Sequence, residues 1–206
     1  LDKKTGIDLP AEIPGFVPTS LWKEKNYNQK WFDGDTVNLS IGQGFIETTL
    51  IGLVNFYSAL ATGGVVYKPH LVRQIRYAEN DKIKAAIEPS ILFELPISSD
   101  TLMTIRKAIR EVSIHGTTRG VFSSVNMMPV AGKTGTVQTR SNERKNKKSQ
   151  HAWYIGYGPF DGNLNDIIVV GVFIDKGIGG AVGAAPVARE IFNAWGRYLK
   201  KNGDKK

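Results

Sequence analysis

Val130-Ala-Gly-Lys-Thr-Gly-Thr136 reads as a β-strand interrupted by two glycines and carrying a single cation. Lacking Cβ atoms, Gly132 and Gly135 let another group lie close against the backbone. The edge of such a strand can pair with an extended peptide, with Lys133 placing a positive charge beside it. Side chains alternate along a strand, so Thr134 and Thr136 share one face and Lys133 and Gly135 the other, unless a bulge intervenes. By itself the Lys-Thr-Gly triplet is also common in ordinary strands that end in an exposed turn.

Around it, strand character runs over 128–138 and returns in Ala152–Tyr157 and Asp166–Ile174. Gly158-Pro-Phe-Asp-Gly-Asn163 joins the last two, a turn composition that predicts an antiparallel hairpin. Upstream, apolar residues from Leu50 to Ala61 cover most of a helix circumference, which predicts a largely buried helix from Thr48 to about Thr62. Thr48 or Thr49 can cap it, and Gly63-Gly64 supplies a left-handed stop. Short strands are expected at 65–67 and 71–77, the second with its polar residues outward. A second helix follows Ser98, from Thr101 to about Ser113. A third runs from Ala184 to Lys201, with Val187, Ile191, Ala194, Trp195 and Tyr198 on its apolar stripe and Pro186 in its first turn. Residues 1–36, rich in Pro, Gly, Trp and charge, read as an extended, irregular lead-in. The pattern predicts an α/β (α+β) fold, an antiparallel sheet flanked by helices, in one domain-sized unit over residues 1–206.

With 41% hydrophobic and 22% charged residues, the chain has the composition of a globular protein. Its net charge of +8 is local: ten of its 27 Lys and Arg lie in the basic loop 140–148 and in the tail 200–206 with nearby Arg197. Without these segments the chain is nearly neutral, which argues against a nucleic-acid footprint spread over one face. Both segments read as solvated, although the loop follows the Lys133 strand and can reach an anionic polymer there. There are no cysteines, so disulfides and thiolate metal sites are excluded. His70, His115 and His151 lack metal-ligand spacing, and no apolar run is long enough to span a membrane. The chain opens at Leu1 rather than Met, which leads us to expect a processed or excised piece.

Other segments give the strand its context. Lys4-Thr-Gly-Ile-Asp-Leu-Pro10 and Gly34-Asp-Thr-Val-Asn-Leu-Ser-Ile-Gly-Gln-Gly44 precede Ala59-Leu-Ala-Thr-Gly-Gly64 and Tyr67-Lys-Pro-His70. The Lys133 strand follows, then Ala152-Trp-Tyr-Ile-Gly-Tyr157 and Ala185-Pro-Val-Ala188. In this order and over essentially its whole length, the chain resembles the class B penicillin-binding proteins, above all their elongation-specific penicillin-binding protein 2 branch. The resemblance implies that residues 1–206 are the C-terminal portion of one transpeptidase domain, part of a penicillin-binding/serine β-lactamase-like fold. It implies acyl transfer without a cofactor or metal. A serine attacks the D-Ala-D-Ala end of a peptidoglycan stem peptide, and the acyl-enzyme passes to an amine on a neighbouring stem. β-Lactams trap that serine.

Such sites combine Ser-x-x-Lys, Ser-x-Asn and Lys-Thr-Gly. Carried over by motif, Lys133 adds positive charge to the proton-transfer network and the substrate carboxylate. Thr134 and Thr136 are candidates to hydrogen-bond that carboxylate, and Gly135 belongs to the same substrate-binding strand. An oxyanion-hole N–H is expected near Thr136. Ser20-Leu-Trp-Lys23 and Ser124-Val-Asn126 imitate the other two motifs. Ser20, however, falls in the expected irregular lead-in, and Ser124 lies only nine residues before Lys133. Lys4-Thr5-Gly6 is a third imitation, in a loop. The nucleophilic serine is therefore expected outside this chain, which alone should not acylate. Gln138 and His151 flank the substrate strands and are weighed as binding residues. Trp153 and Tyr154 alternate on a strand and read together as core and groove wall rather than a carbohydrate platform. Ser40–Gly44 either shapes the approach to the site or forms a glycine-rich entry to the buried helix.

The same resemblance implies as partners an elongation scaffold protein and a membrane glycosyltransferase. It places the protein on the periplasmic side of the cytoplasmic membrane, held only through an N-terminal anchor absent from this chain. The alternatives are a serine β-lactamase, a β-lactam sensor, or a non-catalytic binding module.

Overall fold

The structure is a computed structural model that describes residues 1–123, 128–138 and 150–203. Ser124-Val-Asn126, the 140–148 loop and the end of the tail lie outside the described residues. Its contacts divide the chain into two compact units, Leu1–Asn55 with Tyr67–Leu92, and Phe56–Val66 with Phe93–Lys206. The chain passes between them within helix α3 (Leu50–Ala61) and strands β1 (Val65–Tyr67) and β4 (Ile91–Glu94), which pair with each other.

The first unit corrects the expectation of an irregular lead-in, because it contains two eight-residue helices, α1 (Ser20–Tyr27) and α2 (Asp33–Ser40). Neither has the apolar periodicity that announces a helix, and both depend on local chemistry at their ends. The Thr19 hydroxyl accepts the Trp22 N–H at 3.2 Å, and Asn28 closes α1 with a left-handed φ of 51°. In α2, Asp33 and Asp35 occupy the positive N-terminal turn, and Asp35 accepts the Phe32 N–H at 2.8 Å. Phe16, Trp22, Tyr27 and Phe45 cluster beside α1, with successive ring centroids 4.7 to 5.5 Å apart. The expected strand 71–77 is shorter, as β2 (Gln74–Arg76) pairs antiparallel with β3 (Ile83–Ala86). Its predicted alternation has no inner face to serve, since Leu71, Val72, Ile75 and Tyr77 are all exposed.

Lys23 is buried, with its ammonium bonded to Asp35 and 4.6 Å from the centre of the Phe32 ring. Asp35 is held below the ordinary carboxylate range, chiefly by the Lys23 hydrogen bond and then by the Phe32 N–H. A carboxyl with a depressed folded pKa stabilises the fold above its unfolded value, about 3.9, and loses that contribution as pH falls through the folded one. Asp35→Asn is therefore expected to lower the thermal midpoint clearly at neutral pH. The gap to wild type should shrink as pH drops below about 4, where the wild-type carboxylate itself takes up a proton. Melting curves at pH 7 and pH 3 check this, and a gap that widens on acidification would overturn the assignment.

The second unit holds a three-stranded antiparallel sheet in the order β5 (Ala131–Gln138), β6 (Gln150–Gly158), β7 (Ile168–Gly177). The β6–β7 hairpin follows the sequence expectation. Helix α4 (Ser99–Ile114), a short α5 (Arg119–Phe122) and α6 (Ala185–Gly203) complete this unit, so helices and an antiparallel sheet appear as expected. The Ser98 hydroxyl caps α4 through the Thr101 N–H at 3.2 Å. Thr49 caps α3 through the Gly52 N–H at 3.1 Å, and Gly63 and Gly64 follow it with φ of 82° and 99°. Helix α3 is less buried than expected, only Tyr57, Ala59, Leu60 and Ala61 being inside.

The predicted stripe of α6 is also corrected. Val187, Ile191 and Tyr198 are 44–54% exposed, whereas Ala185, Ala188 and Phe192 are fully buried among Tyr154, Val170 and Val172. Small alanines let the helix approach the sheet closely. Burying the one large side chain among them, Phe192, contributes about 1.5–3 kcal/mol.

Candidate functional site

Strand β5 has β6 as its only strand neighbour among the described residues, so its other edge has no strand partner. Its pairing with β6 is unbroken from Ala131↔Tyr157 to Gln138↔Gln150. No bulge intervenes, so Thr134 and Thr136 share one face and Lys133 and Gly135 the other, as alternation predicts. Arg110 of α4 fixes the entry to the strand by donating to the Val130 carbonyl at 2.8 Å. Arg106, one turn earlier, reaches the Tyr157 hydroxyl at 3.2 Å and the Phe160 carbonyl at 3.3 Å.

The two glycines of the strand have different duties. A Cβ on Gly132 would stand 2.3 Å from the Tyr154 hydroxyl oxygen and 2.7 Å from the Ile155 carbonyl oxygen. The close approach expected at Gly132 is therefore made by the protein's own fully buried Tyr154, not left for a ligand. At Gly135 the nearest atom would be the Trp153 Cβ at 3.3 Å, a contact that the neighbour can partly relieve.

Lys133 is exposed, and its Nζ donates to the Thr134 carbonyl at 2.9 Å. The Thr134 hydroxyl lies 3.0 Å from the Thr117 hydroxyl, and the Thr136 hydroxyl accepts the Gly180 N–H at 3.1 Å. Gly180 opens a π-helical turn, Gly180–Ala184, laid against β5 and β6. A Cβ on it would come within 2.6 Å of the Gly135 and Trp153 carbonyl oxygens. Each hydroxyl retains hydrogen-bonding capacity toward a ligand, since a threonine offers one donor and two acceptor sites.

His151 and Trp153 alternate with buried Ala152 and Tyr154, on the face that also carries Lys133. The Trp153 and Phe173 rings are 4.5 Å apart, and His151 lies 5.3 Å from Phe173. His151 Nδ1 is 3.0 Å from Asp175 Oδ1, close enough to pair but off the hydrogen-bonding geometry. Gln138 occupies the end of β5, opposite Gln150. Ser40–Gly44 belongs to the first unit, at the end of α2 and in the turn after it.

Two of the imitation motifs can be placed. Lys4-Thr5-Gly6 lies outside any strand, with Thr5 Oγ1 donating to Glu12 at 2.7 Å. Ser20 is not in an irregular segment as expected: it opens α1, with Lys23 one turn along. Ser20 is nevertheless exposed, and the Lys23 ammonium is committed to Asp35. Among the described residues no group of three or more His, Cys, Asp or Glu side chains gathers to hold a metal ion. Sequence reading missed Thr117 and Gly180, which hold the two strand hydroxyls. Neither carries a motif, and their contacts link positions 17 and 44 residues apart.

Residues 1–193 match the family model described as the penicillin binding protein transpeptidase domain. The chain is similar to the peptidoglycan D,D-transpeptidase MrdA of Haemophilus influenzae, 33% identical over 208 residues. That alignment covers 92% of this chain but 30% of the relative, so the chain spans less than a third of its length. Among solved structures, it is similar to Helicobacter pylori penicillin-binding protein PBP2 in a complex with MreC. The TM-score there is 0.71 and the identity 26%, over 98% of this chain and 34% of that one. Similarity to Pseudomonas aeruginosa PBP2 in complex with WCK 5153 gives a TM-score of 0.72 at 28% identity, over 94% and 40%. These matches bear out the resemblance read from the ordered motifs.

Proposed function

The chain belongs to the penicillin-binding protein transpeptidase domain family, and from that premise we propose that it supplies the Lys-Thr-Gly wall of a D,D-transpeptidase site. The observation that carries this reading is the edge of β5 that has no strand partner among the described residues, with exposed Lys133 and the Thr134 and Thr136 hydroxyls already held by partners. An extended stem peptide pairs with that edge through its backbone. Thr134 and Thr136 donate to its terminal carboxylate, and Lys133 adds the positive charge that favours an anionic ligand. The nucleophile comes from a Ser-x-x-Lys helix outside these residues. Its attack on the penultimate D-Ala carbonyl expels D-alanine, and an amine of a second stem then resolves the acyl-enzyme. A backbone N–H near Thr136 stabilises the oxyanion.

On this reading residues 1–206 are the C-terminal portion of one transpeptidase domain, working on the periplasmic face of the cytoplasmic membrane. The Helicobacter pylori relative in complex with MreC supports an elongation scaffold as partner. A membrane glycosyltransferase completes the proposed machinery.

Intact mass after incubation with a fluorescent penicillin tests the placement of the nucleophile. The expected result is no adduct on this chain and one adduct on the full-length protein. A stoichiometric adduct on this chain, mapped to Ser20 or Ser124, would overturn the placement.

A further inference from the structure

The turn that follows α4 is built to present one hydroxyl. The His115 and Gly116 N–H groups both donate to the Glu111 carbonyl, at 2.8 and 3.1 Å. Thr118 is fully buried, and its N–H and hydroxyl both donate to the Val112 carbonyl, at 3.3 and 3.1 Å. A Cβ on Gly116 would stand 2.8 Å from Val112 Cα, a backbone atom that cannot swing away. Thr117 is thus clamped from both sides while itself remaining exposed, with its Oγ1 3.0 Å from that of Thr134.

One hydroxyl of such a pair donates and the other accepts. A carboxylate accepts only, so a Thr134 that binds one must spend its own proton outward and receive a bond from Thr117. Donation by Thr117 also strengthens the bond that Thr134 gives, because linked hydrogen bonds polarise one another. We propose that Thr117 is a positioning residue, whose hydroxyl donates to Thr134 Oγ1 and aims the Thr134 proton at the carboxylate of the bound peptide or β-lactam. This rests on the reading of β5 as the substrate wall.

The test uses the full-length protein and two probes, benzylpenicillin and its methyl ester, which lacks the negative charge. The quantity read is the ratio of their acylation rates. In Thr117→Val the preference for the free carboxylate is expected to fall about fivefold to tenfold, the size of one hydrogen bond between neutral groups. Thr117→Ser, which keeps the hydroxyl, should restore it. Thermal midpoints of both variants separate this effect from unfolding, and Thr117→Ala serves if the valine variant melts early. A ratio unchanged in the valine and alanine variants, or a serine variant no better than valine, would overturn the role of Thr117. Thr134→Val is the control for the underlying reading: if it leaves the ratio intact, the substrate wall is misassigned and this inference falls with it.

Discussion

Lys133→Met in the full-length protein is expected to slow acylation by benzylpenicillin by about a hundredfold or more, with little change in the thermal midpoint. The two halves of that expectation have separate physical grounds. Lys133 is exposed and, among the described residues, its ammonium bonds only a neighbouring carbonyl on the same strand, so little packing is lost with it. Substitutions of that kind usually stay within about 0.5 kcal/mol. A cation placed to assist proton transfer or to stabilise developing charge is worth about a hundredfold to a thousandfold in rate. Lys133→Arg should recover binding of the carboxylate more than it recovers the rate. A guanidinium keeps the charge but presents a planar fork that a compact ammonium site does not fit. Stopped-flow acylation of the three proteins decides the matter. A methionine variant that acylates within about threefold of wild type would remove Lys133 from the machinery, since that is far below the effect of a general acid–base group.

Much of this architecture was legible because its elements are long and their periodicity is unambiguous. The 158–163 turn announced the β6–β7 hairpin, and Ser98 and Gly63-Gly64 marked the ends of two helices where they occur. The ordered motifs identified the family, because several independent matches in sequence order outweigh the low information in Lys-Thr-Gly alone. Legibility failed where burial is achieved without large apolar side chains. In α6 the buried face is made of Ala185 and Ala188 as well as Phe192, and alanines count for little in a hydrophobic pattern. The more conspicuous stripe through Val187, Ile191 and Tyr198 faces outward. Helices α1 and α2 escaped notice for a related reason. Eight residues give barely two turns of periodicity, and what holds them is a cap, an ion pair and an aromatic cluster assembled from separate segments. The hydroxyl partners of Thr134 and Thr136 were invisible because turns distant in the chain supply them.

Tyr154 ties the stability of this unit to the geometry of its candidate site, and its two obvious substitutions should move in different directions. The ring is fully buried, 5.2 Å from that of Phe122, and lies across Gly132 and Gly156, where no Cβ could stand. Burial also pushes its hydroxyl pKa upward, chiefly by desolvation, which favours the neutral phenol. Tyr154→Ala should cost about 3–5 kcal/mol, since a cavity is left against a strand whose glycines cannot fill it. Tyr154→Phe removes only the oxygen. Among the described residues, that oxygen and Ser113 Oγ are both buried without a partner in bonding geometry, so deleting one relieves a desolvated polar group. The phenylalanine variant is accordingly expected to match wild type or to gain up to about 1 kcal/mol. Denaturant unfolding of both variants measures the two effects. A loss of more than about 1 kcal/mol in the phenylalanine variant would mean that the hydroxyl is bonded, with Ser113 the nearest candidate. Gly132→Ala probes the same packing from the strand side and should cost about 1–3 kcal/mol as an overpacked site. It should also slow acylation in the full-length protein, because the added methyl can be accommodated only by moving the backbone that carries Lys133.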